Sequence, residues 1–439
     1  MIRLQYPTTN SIWFSKVFTC TNSADYSSRA SESTAKRAHI YAALKSDKKD
    51  DLGLVSSVID YLPHALALER AALNDSIVAI SDDSFVWTVP SQLSPKGKST
   101  ASSSVTFETI HILHVYALAL FNHAQGLADN VGSYDADPAL PDSSRKQSDN
   151  VLQSAVTLLN SAAGVFKFIA DTAIDGYQGA RDADTPILNR EYNTGLSKLS
   201  LAMSQALAIR KLMSPHHAYT LNNPGPPLPK SHPSPQILLK LHLDTSALFN
   251  AARVMLKSSI KSTLRVQHVD LPAQLKSHTK RREVFHAGVA KKWLGVDASN
   301  QGNTGIALAW LKMASEELAD SISSSPSERL KILSKSTRKA RGERRNELDV
   351  ELSSIDTYLK AYKQLNDTVH FQSIPDPQSL MSQIPSGRSL VAATQYALPP
   401  VAWTLKDTPD HDEEHVASTS TTTSTPAGSS NYALQGKYF

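Results

Sequence analysis

Few side chains in this sequence combine residue types and spacing that could perform chemistry. The segment HDEEH, residues 411–415, places two histidines around three carboxylates, which are residue types that bind divalent metal ions. The surrounding residues are poor in apolar groups, however, and a loosely held set of ligands binds metals weakly and without selectivity. His216 and His217 lie in a proline-rich segment and share this weakness. We therefore predict neither a metal site nor a cofactor.

Activated nucleophiles and phosphate-binding loops are also missing from the sequence. It contains no G-x-S-x-G elbow, no H-E-x-x-H pair and no G-x-x-x-x-G-K-[ST] loop. Cys20 is the single cysteine and has no nearby histidine to activate it, and one cysteine forms neither an internal disulfide nor a cysteine-built zinc site. We predict that the protein is not an enzyme. A helical hydrolase, which would need a pocket of convergent polar groups, is the weaker alternative.

Positive charge is concentrated in one part of the chain. Residues 251–350 contain 19 Lys and Arg against 10 Asp and Glu, and because the whole chain has a net charge of +4, the remainder carries −5 (4 minus 9). Within this region, Arg338 and Lys339 belong to the run STRKARGERR. Such a region attracts acidic protein segments, anionic lipids or nucleic acid, or it is simply a solvated helix face. Because the run lacks aromatic residues for base stacking, we expect no nucleic-acid partner and keep a nucleic-acid-binding solenoid only as an alternative.

Helical periodicity dominates from residue 106 onward and predicts a mainly α fold. The first two apolar stripes are Ile110, Leu113, Ala117, Leu120, Ala124 and Leu127, followed by Leu152, Val156, Leu159, Ala163, Phe166 and Ala170. Strand-like sequence is confined to the first hundred residues, where FVWTVP, residues 85–90, is the best candidate. We find no apolar run of about 18 residues and no secretory signal, so we predict no transmembrane segment and a cytoplasmic location.

Three segments interrupt or end the helical pattern. Residues 214–235 contain seven prolines, which predicts an exposed loop that no continuous helix crosses. A capping box with proline at the first helical position predicts a long helix from Pro326 to about Asn366, packed along one side. An apolar, proline-bearing segment, QLNDTVHFQSIPDP, follows it. From about Thr408 the chain is acidic and then rich in Ser and Thr, which predicts disorder.

Four stretches resemble, in order, landmarks of the BRO domain found in ALIX and its fungal relatives. They are FETIHILHVYALALFNHAQGLA, SDNVLQSAVTLLNSAAGVFKFIAD, GNTGIALAWLKMASEEL and NDTVHFQSIPD. In that family an aromatic-x-Trp strand precedes the first of these helices, as FVWTVP does here. A small-small-Gly-x-Phe motif is matched by Ala162, Ala163, Gly164 and Phe166. The resemblance implies a boomerang-shaped solenoid of helix hairpins: a BRO domain over residues 1–400, and a disordered tail over residues 401–439.

In BRO domains, the segment after the long helix folds back along the helical body as an extended arm. The resemblance therefore implies that four apolar residues dock here: Val369, Phe371, Ile374 and Leu380. His370 stands where ALIX has a tyrosine, so a function that depends on that tyrosine does not carry over.

The resemblance also implies a partner. BRO domains capture the C-terminal amphipathic helix of an ESCRT-III subunit of the Snf-seven (Vps-thirty-two) type, in an apolar patch on the concave face. Matching the family helices places Ile237 and Leu241 in this patch, with Ile209 from the preceding helix. The alternative is that these are ordinary core residues. Arg338 and Lys339 would steer an acidic partner.

Within the family, the chain most resembles the short fungal pH-response regulators of the PalC type. This implies a non-enzymatic adaptor that is recruited peripherally to the plasma membrane or endosomes. There it would join the pH-signalling complex and assist proteolytic activation of a PacC-type transcription factor at alkaline pH. A general endosomal-sorting adaptor is the alternative.

Overall fold

The computed structural model describes residues 2–20, 23, 25–80, 84–90, 99–179, 185–264, 272–323 and 335–405, without the side chains of 260–264, 320–323 and 335–346. The helices are α1 (Phe14–Val17), α2 (Tyr26–Lys45), α3 (Asp51–Leu73), α4 (Val105–Asn130), α5 (Asp142–Phe168), α6 (Ile174–Gly176), α7 (Arg190–Asn222), α8 (Pro235–Leu264), α9 (Ala273–Asn300), α10 (Thr304–Ser323), α11 (Lys335–Leu365) and α12 (Pro377–Leu380). The strands are β1 (Thr8–Thr9), β2 (Phe18–Thr19), β3 (Val78–Ala79), β4 (Phe85–Thr88) and β5 (Ser99–Ser102).

The strands form two small antiparallel sheets near the N-terminus. The first has the order β1-β4-β5, with Thr8 opposite Thr88, and the second pairs β2 with β3. The central strand β4 alternates as a half-buried strand should, because Phe85 and Trp87 point into the core. The prediction of a strand at FVWTVP is confirmed.

A buried ion pair joins this sheet to the helices. Arg37 on α2 donates through Nε to Glu108 Oε1 on α4 at 2.8 Å, and Trp87 Nε1 donates to the other carboxylate oxygen at 2.7 Å. The Arg37 guanidinium also donates to the Asn10 carbonyl and to Thr9 Oγ1. Burial opposes the charge on Arg37, but Glu108 outweighs it and raises the pKa of the guanidinium. The N-terminal sheet is therefore attached through a buried charge pair that makes further hydrogen bonds on both sides.

The helices pack in sequence order, each long helix lying mainly against those before and after it. Helices α2 to α5 and α7 enclose one apolar core, and α8 to α11 enclose a second. Residues 105–136 and 142–176 are helical segments long and apolar enough to cross a membrane, but 89% of the most apolar window in the first is buried inside the fold. A helix that is apolar on all sides is expected at the centre of a large core. The predicted mainly α fold with a small N-terminal β element is confirmed.

The proline-rich segment differs from its prediction. Helix α7 does not stop at Ser214 but continues through Pro215 to Asn222, and α8 begins at Pro235. Pro215 is exposed, where water can replace the hydrogen bond that its missing N–H leaves unmade. The connection is therefore limited to residues 223–234, and Leu228 within it packs against the second core.

The long helix α11 ends at Leu365, close to the predicted end. Its predicted start at Pro326 lies outside the described residues. Ile355 and Tyr362 are buried in the second core, whereas Asp356, Lys360 and Lys363 are exposed, as expected for packing along one side. The folded chain continues past the predicted boundary at residue 400, because Trp403 is buried in the first core.

Candidate protein-binding site

The chain after α11 crosses the helices as a mostly extended segment, residues 371–405, which includes the short helix α12. We call this segment the strap. Its backbone N–H groups bond to helix carbonyls in succession. Arg388 donates to Lys240 on α8, Thr394 to Asn160 on α5, and Ala402 to Pro63 on α3, each at 3.0 Å. The strap therefore ties three helices of the solenoid together, as the resemblance implied.

Two glycines allow the strap to approach the helices closely. A Cβ added to Gly164 on α5 would lie 1.7 Å from the Thr394 carbonyl oxygen. A Cβ added to Gly305 on α10 would lie 2.3 Å from the Ser373 carbonyl oxygen. No side chain fits at either distance, so both positions need glycine. The glycine of the small-small-Gly-x-Phe motif is thus explained by a contact with a segment about 230 residues later.

A polar network turns the chain from α11 into the strap. Asn366 is buried, and its side chain bonds to both backbone groups of Gln372, donating to the carbonyl at 3.0 Å and accepting from the N–H at 3.1 Å. Thr304 on α10 donates to the same Asn366 oxygen at 2.7 Å. Between them, Phe371 has a left-handed backbone, with φ of 50°. Polar bonds hold this turn instead of apolar contacts.

The prediction that four apolar residues after α11 dock on the helical body is therefore mostly wrong. Phe371 is 75% exposed, and Val369 and Ile374 are exposed as well. Of the four, only Leu380 is buried, in a small cluster with Trp310 of α10. The reason is that the left-handed turn directs the Phe371 side chain toward solvent while Asn366 anchors the backbone.

Gln205 on α7 connects the strap to two helices. Its side-chain N–H groups donate to Asp244 Oδ2 at 2.8 Å, to the Leu241 carbonyl at 3.2 Å and to the Arg388 carbonyl at 3.3 Å. Its oxygen accepts from the Leu390 N–H and from Ser389 Oγ, both at 2.9 Å. One fully buried amide therefore fixes the position of the strap where it crosses α7 and α8.

Two exposed apolar side chains and two exposed cations belong to the segments that meet at this crossing. Ile237 on α8 is 44% exposed, and Leu390 on the strap is 48% exposed. Lys240 and Arg388 are exposed, and neither has an ion-pair partner among the residues that the structure describes. We call this surface the docking face, defined by Ile237, Lys240, Arg388 and Leu390. Exposed apolar side chains beside cations are features that can bind an amphipathic helix with acidic residues.

Comparison with known proteins establishes the family. The model of the BRO1-like domain matches residues 8–416, which is nearly the whole chain. The chain belongs to the BRO1-like domain family. The resemblance seen in the sequence is therefore confirmed.

Relatives of this BRO1-like domain include a fungal regulator and ALIX. The chain is 28% identical to the pH-response regulator protein palC of Cryptococcus neoformans var. neoformans serotype D (strain B-3501A), over 99% of this chain and 98% of that protein. A structure described as an ALIX BRO1 CHMP4C complex superposes with a TM-score of 0.64 at 16% identity, covering 92% of this chain and 97% of the other. ALIX bound to the SIVmac239 PYKEVTEDL late domain gives 0.63 at 16% identity over 92% of this chain, which spans half of that ALIX chain.

The structure does not expose all three residues that were predicted to form the apolar patch. Leu241 is fully buried and Ile209 nearly so, whereas Ile237 is exposed. Leu241 lies where α7, α8 and the strap meet, and its carbonyl accepts from Gln205. The alternative that Ile209 and Leu241 are core residues is the one that the structure supports, and Ile237 alone of the three is available to a partner.

The basic region is partly neutralised in this BRO1-like domain. On α9, Lys291 pairs with Glu317 and Lys292 with Glu351, while Arg282 pairs with Glu347 on α11. Arg338 and Lys339 belong to helix α11, but their side chains lie outside the described residues. Their predicted role in steering a partner stays a prediction.

The docking face contains residues that sequence reasoning missed. Lys240, Arg388 and Leu390 carry no motif of their own, and only the crossing of the strap brings them together. The buried Gln205, which bonds to the strap at this crossing, carries no motif either. Among the described residues, no group of three or more His, Cys, Asp or Glu side chains is arranged to hold a metal ion. The segment HDEEH lies outside the described residues.

Proposed function

We propose that this protein is a non-enzymatic adaptor of ambient-pH signalling that binds the C-terminal amphipathic helix of an ESCRT-III subunit. Two comparisons support this. The similarity to palC extends over nearly the full length of both proteins, and the ALIX BRO1 domain, which has the same fold, is known in a complex with CHMP4C, an ESCRT-III subunit.

The docking face is the observation that carries the proposal. Exposed Ile237 lies three residues before Lys240 on α8, and exposed Leu390 lies two residues after Arg388 on the strap. The backbone hydrogen bond from Arg388 to Lys240 brings the two segments together. An amphipathic helix with an acidic edge complements this arrangement, because its apolar side chains cover Ile237 and Leu390 while its carboxylates face Lys240 and Arg388.

The strap gives the docking face a rigid frame. Arg388 is bonded to Lys240 through the backbone, and Leu390 is bonded to Gln205. A partner helix therefore does not have to order the residues it contacts, which lowers the entropy cost of binding. Covering the exposed half of each apolar anchor contributes about 0.7–1.5 kcal/mol.

The cellular part of the proposal follows the same relatives. We propose recruitment to the plasma membrane or endosomes through protein partners, where the adaptor supports proteolytic activation of a PacC-type transcription factor at alkaline pH. Arg338 and Lys339 would contribute to association with an acidic partner there.

Binding to a synthetic ESCRT-III C-terminal helix tests the proposal. Ile237→Asp should weaken binding by about thirtyfold or more, because a buried anchor typically contributes at least 2 kcal/mol. Val254→Asp is the matched control, since Val254 is exposed on the same helix away from the crossing. Wild-type affinity in Ile237→Asp would refute the assigned face. Leu241→Asp should instead unfold the protein, because that side chain is fully buried.

Charge reversal tests a separate contribution. Lys240→Glu combined with Arg388→Glu should slow association and reduce its dependence on salt, with a smaller effect on the lifetime of the complex.

In fungal cells, the folded Ile237→Asp protein should fail to support growth at alkaline pH. Normal alkaline growth of cells whose adaptor no longer binds the helix would favour the general endosomal-sorting role instead.

A further inference from the structure

Two buried histidines form one of the polar contacts between α8 and α9. His242 follows Leu241 on α8, and its Nδ1 lies 2.9 Å from Nδ1 of His286 on α9. Both side chains are almost completely shielded from solvent. A hydrogen bond between two Nδ1 atoms requires that one carries a proton and the other does not.

The neighbouring arginine determines which nitrogen carries the proton. Arg282 is held by Glu347, and its Nη2 lies 3.3 Å from Nε2 of His286. A guanidinium can only donate, so His286 accepts at Nε2 and is protonated at Nδ1. His286 then donates to Nδ1 of His242, which leaves the proton of His242 on Nε2. Both rings are neutral in this arrangement.

Every further proton breaks one of these bonds. A proton on Nδ1 of His242 would point at the Nδ1–H of His286, and a proton on Nε2 of His286 would point at the Arg282 guanidinium. The charged groups that act on the pair are Arg282 and Lys292 from α9, and Glu351 from α11. The other ring neighbours of His286 are aromatic: Phe249 stacks on it and Phe285 meets it edge-on.

We propose that the His242–His286 pair is a proton-sensitive lock that holds α8 against α9 only while both rings are neutral. Opening of the lock would displace the part of α8 that carries Ile237 and Lys240. The consequence for partner binding rests on the proposed function, whereas the lock itself does not.

The titration of the two rings supports this reading. Burial, with a smaller effect of nearby cations, lowers the pKa of His242 from 6.5 to about 4 and that of His286 well below 6.5. In an opened state both rings regain an ordinary pKa and take up protons below it. Lowering the pH from about 7.5 to about 5.5 should therefore favour opening about tenfold for each histidine, or about a hundredfold for the pair.

Hydrogen exchange on the full chain measures this opening directly. After correction for intrinsic exchange rates, protection of the amides in α8 around His242 should fall about a hundredfold between pH 7.5 and pH 5.5. Equal protection at the two pH values would refute the lock. The exposed His39 provides the control, because His39→Gln should leave the pH dependence unchanged.

A double variant tests the assignment to these two rings. His242→Leu combined with His286→Leu replaces both partners by apolar groups, which often preserves folding. Its α8 protection should no longer depend on pH, and retained pH dependence would refute the assignment. If the variant does not fold, nitrogen NMR of the wild-type imidazoles decides, since the lock requires one Nδ1–H and one Nε2–H ring. Any other pair of tautomers overturns it.

Binding of the ESCRT-III helix then separates the two proposals. With the lock and the proposed function both correct, wild-type binding should weaken at pH 5.5 more than that of the double variant. If the wild type does not bind the helix at pH 7.5, the proposed function is refuted. The lock would then be tested by the hydrogen-exchange measurement alone. Binding that is equal at both pH values, despite lost protection, would refute the coupling of the lock to the docking face.

Discussion

The side-chain oxygen of Gln205 accepts the backbone N–H of Leu390 at 2.9 Å, joining two residues 185 positions apart in the sequence. The same oxygen accepts from Ser389, and the amide nitrogen donates to Asp244 and to two carbonyl oxygens. Together with the backbone bond from Arg388 to Lys240, this side chain fixes how the strap meets α7 and α8.

Gln205→Leu should detach the strap from this crossing. The change removes all the hydrogen bonds of the amide and leaves the N–H of Leu390 without its partner, so we expect a loss of about 2–4 kcal/mol in the free energy of unfolding. Limited proteolysis should then cut the strap near residues 386–391. If the strap of the variant stays intact under conditions that also spare the wild type, the role assigned to Gln205 is wrong.

Gly164→Ala should disturb the strap where it crosses α5. An added methyl group would lie 1.7 Å from the Thr394 carbonyl oxygen, which belongs to the backbone and cannot rotate away. We expect faster hydrogen exchange around Thr394 and a lower melting temperature. Gly176→Ala is a suitable control, because its nearest contact, with Thr106 at 3.9 Å, is ordinary van der Waals contact. Equal melting temperatures for the two variants would argue against the close approach.

The exposed Phe371 and the buried Leu380 should respond in opposite ways to substitution. Phe371→Gly should stabilise the protein or leave it unchanged, within about 1 kcal/mol, because glycine adopts positive φ without strain. Leu380→Asp should cost several kcal/mol, because a carboxylate would be buried beside Trp310. Chemical denaturation measures both. A large loss of stability in Phe371→Gly would mean that this ring packs after all.

Breaking the buried ion pair should strongly destabilise the N-terminal sheet. Arg37→Met leaves the Glu108 carboxylate buried without its cation, which typically costs about 3–5 kcal/mol. Chemical denaturation measures the loss, and Arg29→Met is the control, because the Arg29–Glu32 pair is largely exposed. Similar stability of the two variants would show that the buried pair is not needed.

Global stability should fall as the pH drops below about 6.5. Burial lowers the pKa of His111 to about 4 and of His114 to about 3, so the folded state keeps these rings neutral while the unfolded state binds protons. Their contribution is complete above the ordinary pKa and is lost as the pH falls toward the folded pKa. At pH 5.5 each ring should cost about 1.4 kcal/mol relative to pH 7.5. Urea midpoints that are equal at the two pH values would contradict the burial of neutral rings.

The sequence by itself determined the class of the fold and the family. Helical periodicity depends only on neighbouring residues, which is why the apolar stripe from Ile110 onward correctly predicted α4. The alternation in FVWTVP predicted β4 for the same reason. Four motifs in the right order then pointed to the BRO domain, which the match over residues 8–416 confirmed.

Tertiary structure alone decided which apolar residues are available to a partner. Ile237 and Leu241 are four residues apart on one helix, yet one is exposed and the other fully buried. A spacing of four residues is shared by pairs of core residues and pairs of surface anchors, so the sequence does not distinguish them. Burial depends instead on which other elements cover the helix. Here α7 and the strap lie over Leu241 and stop short of Ile237, and the contacts that place them come from residues far away in the sequence, such as Gln205 and Arg388.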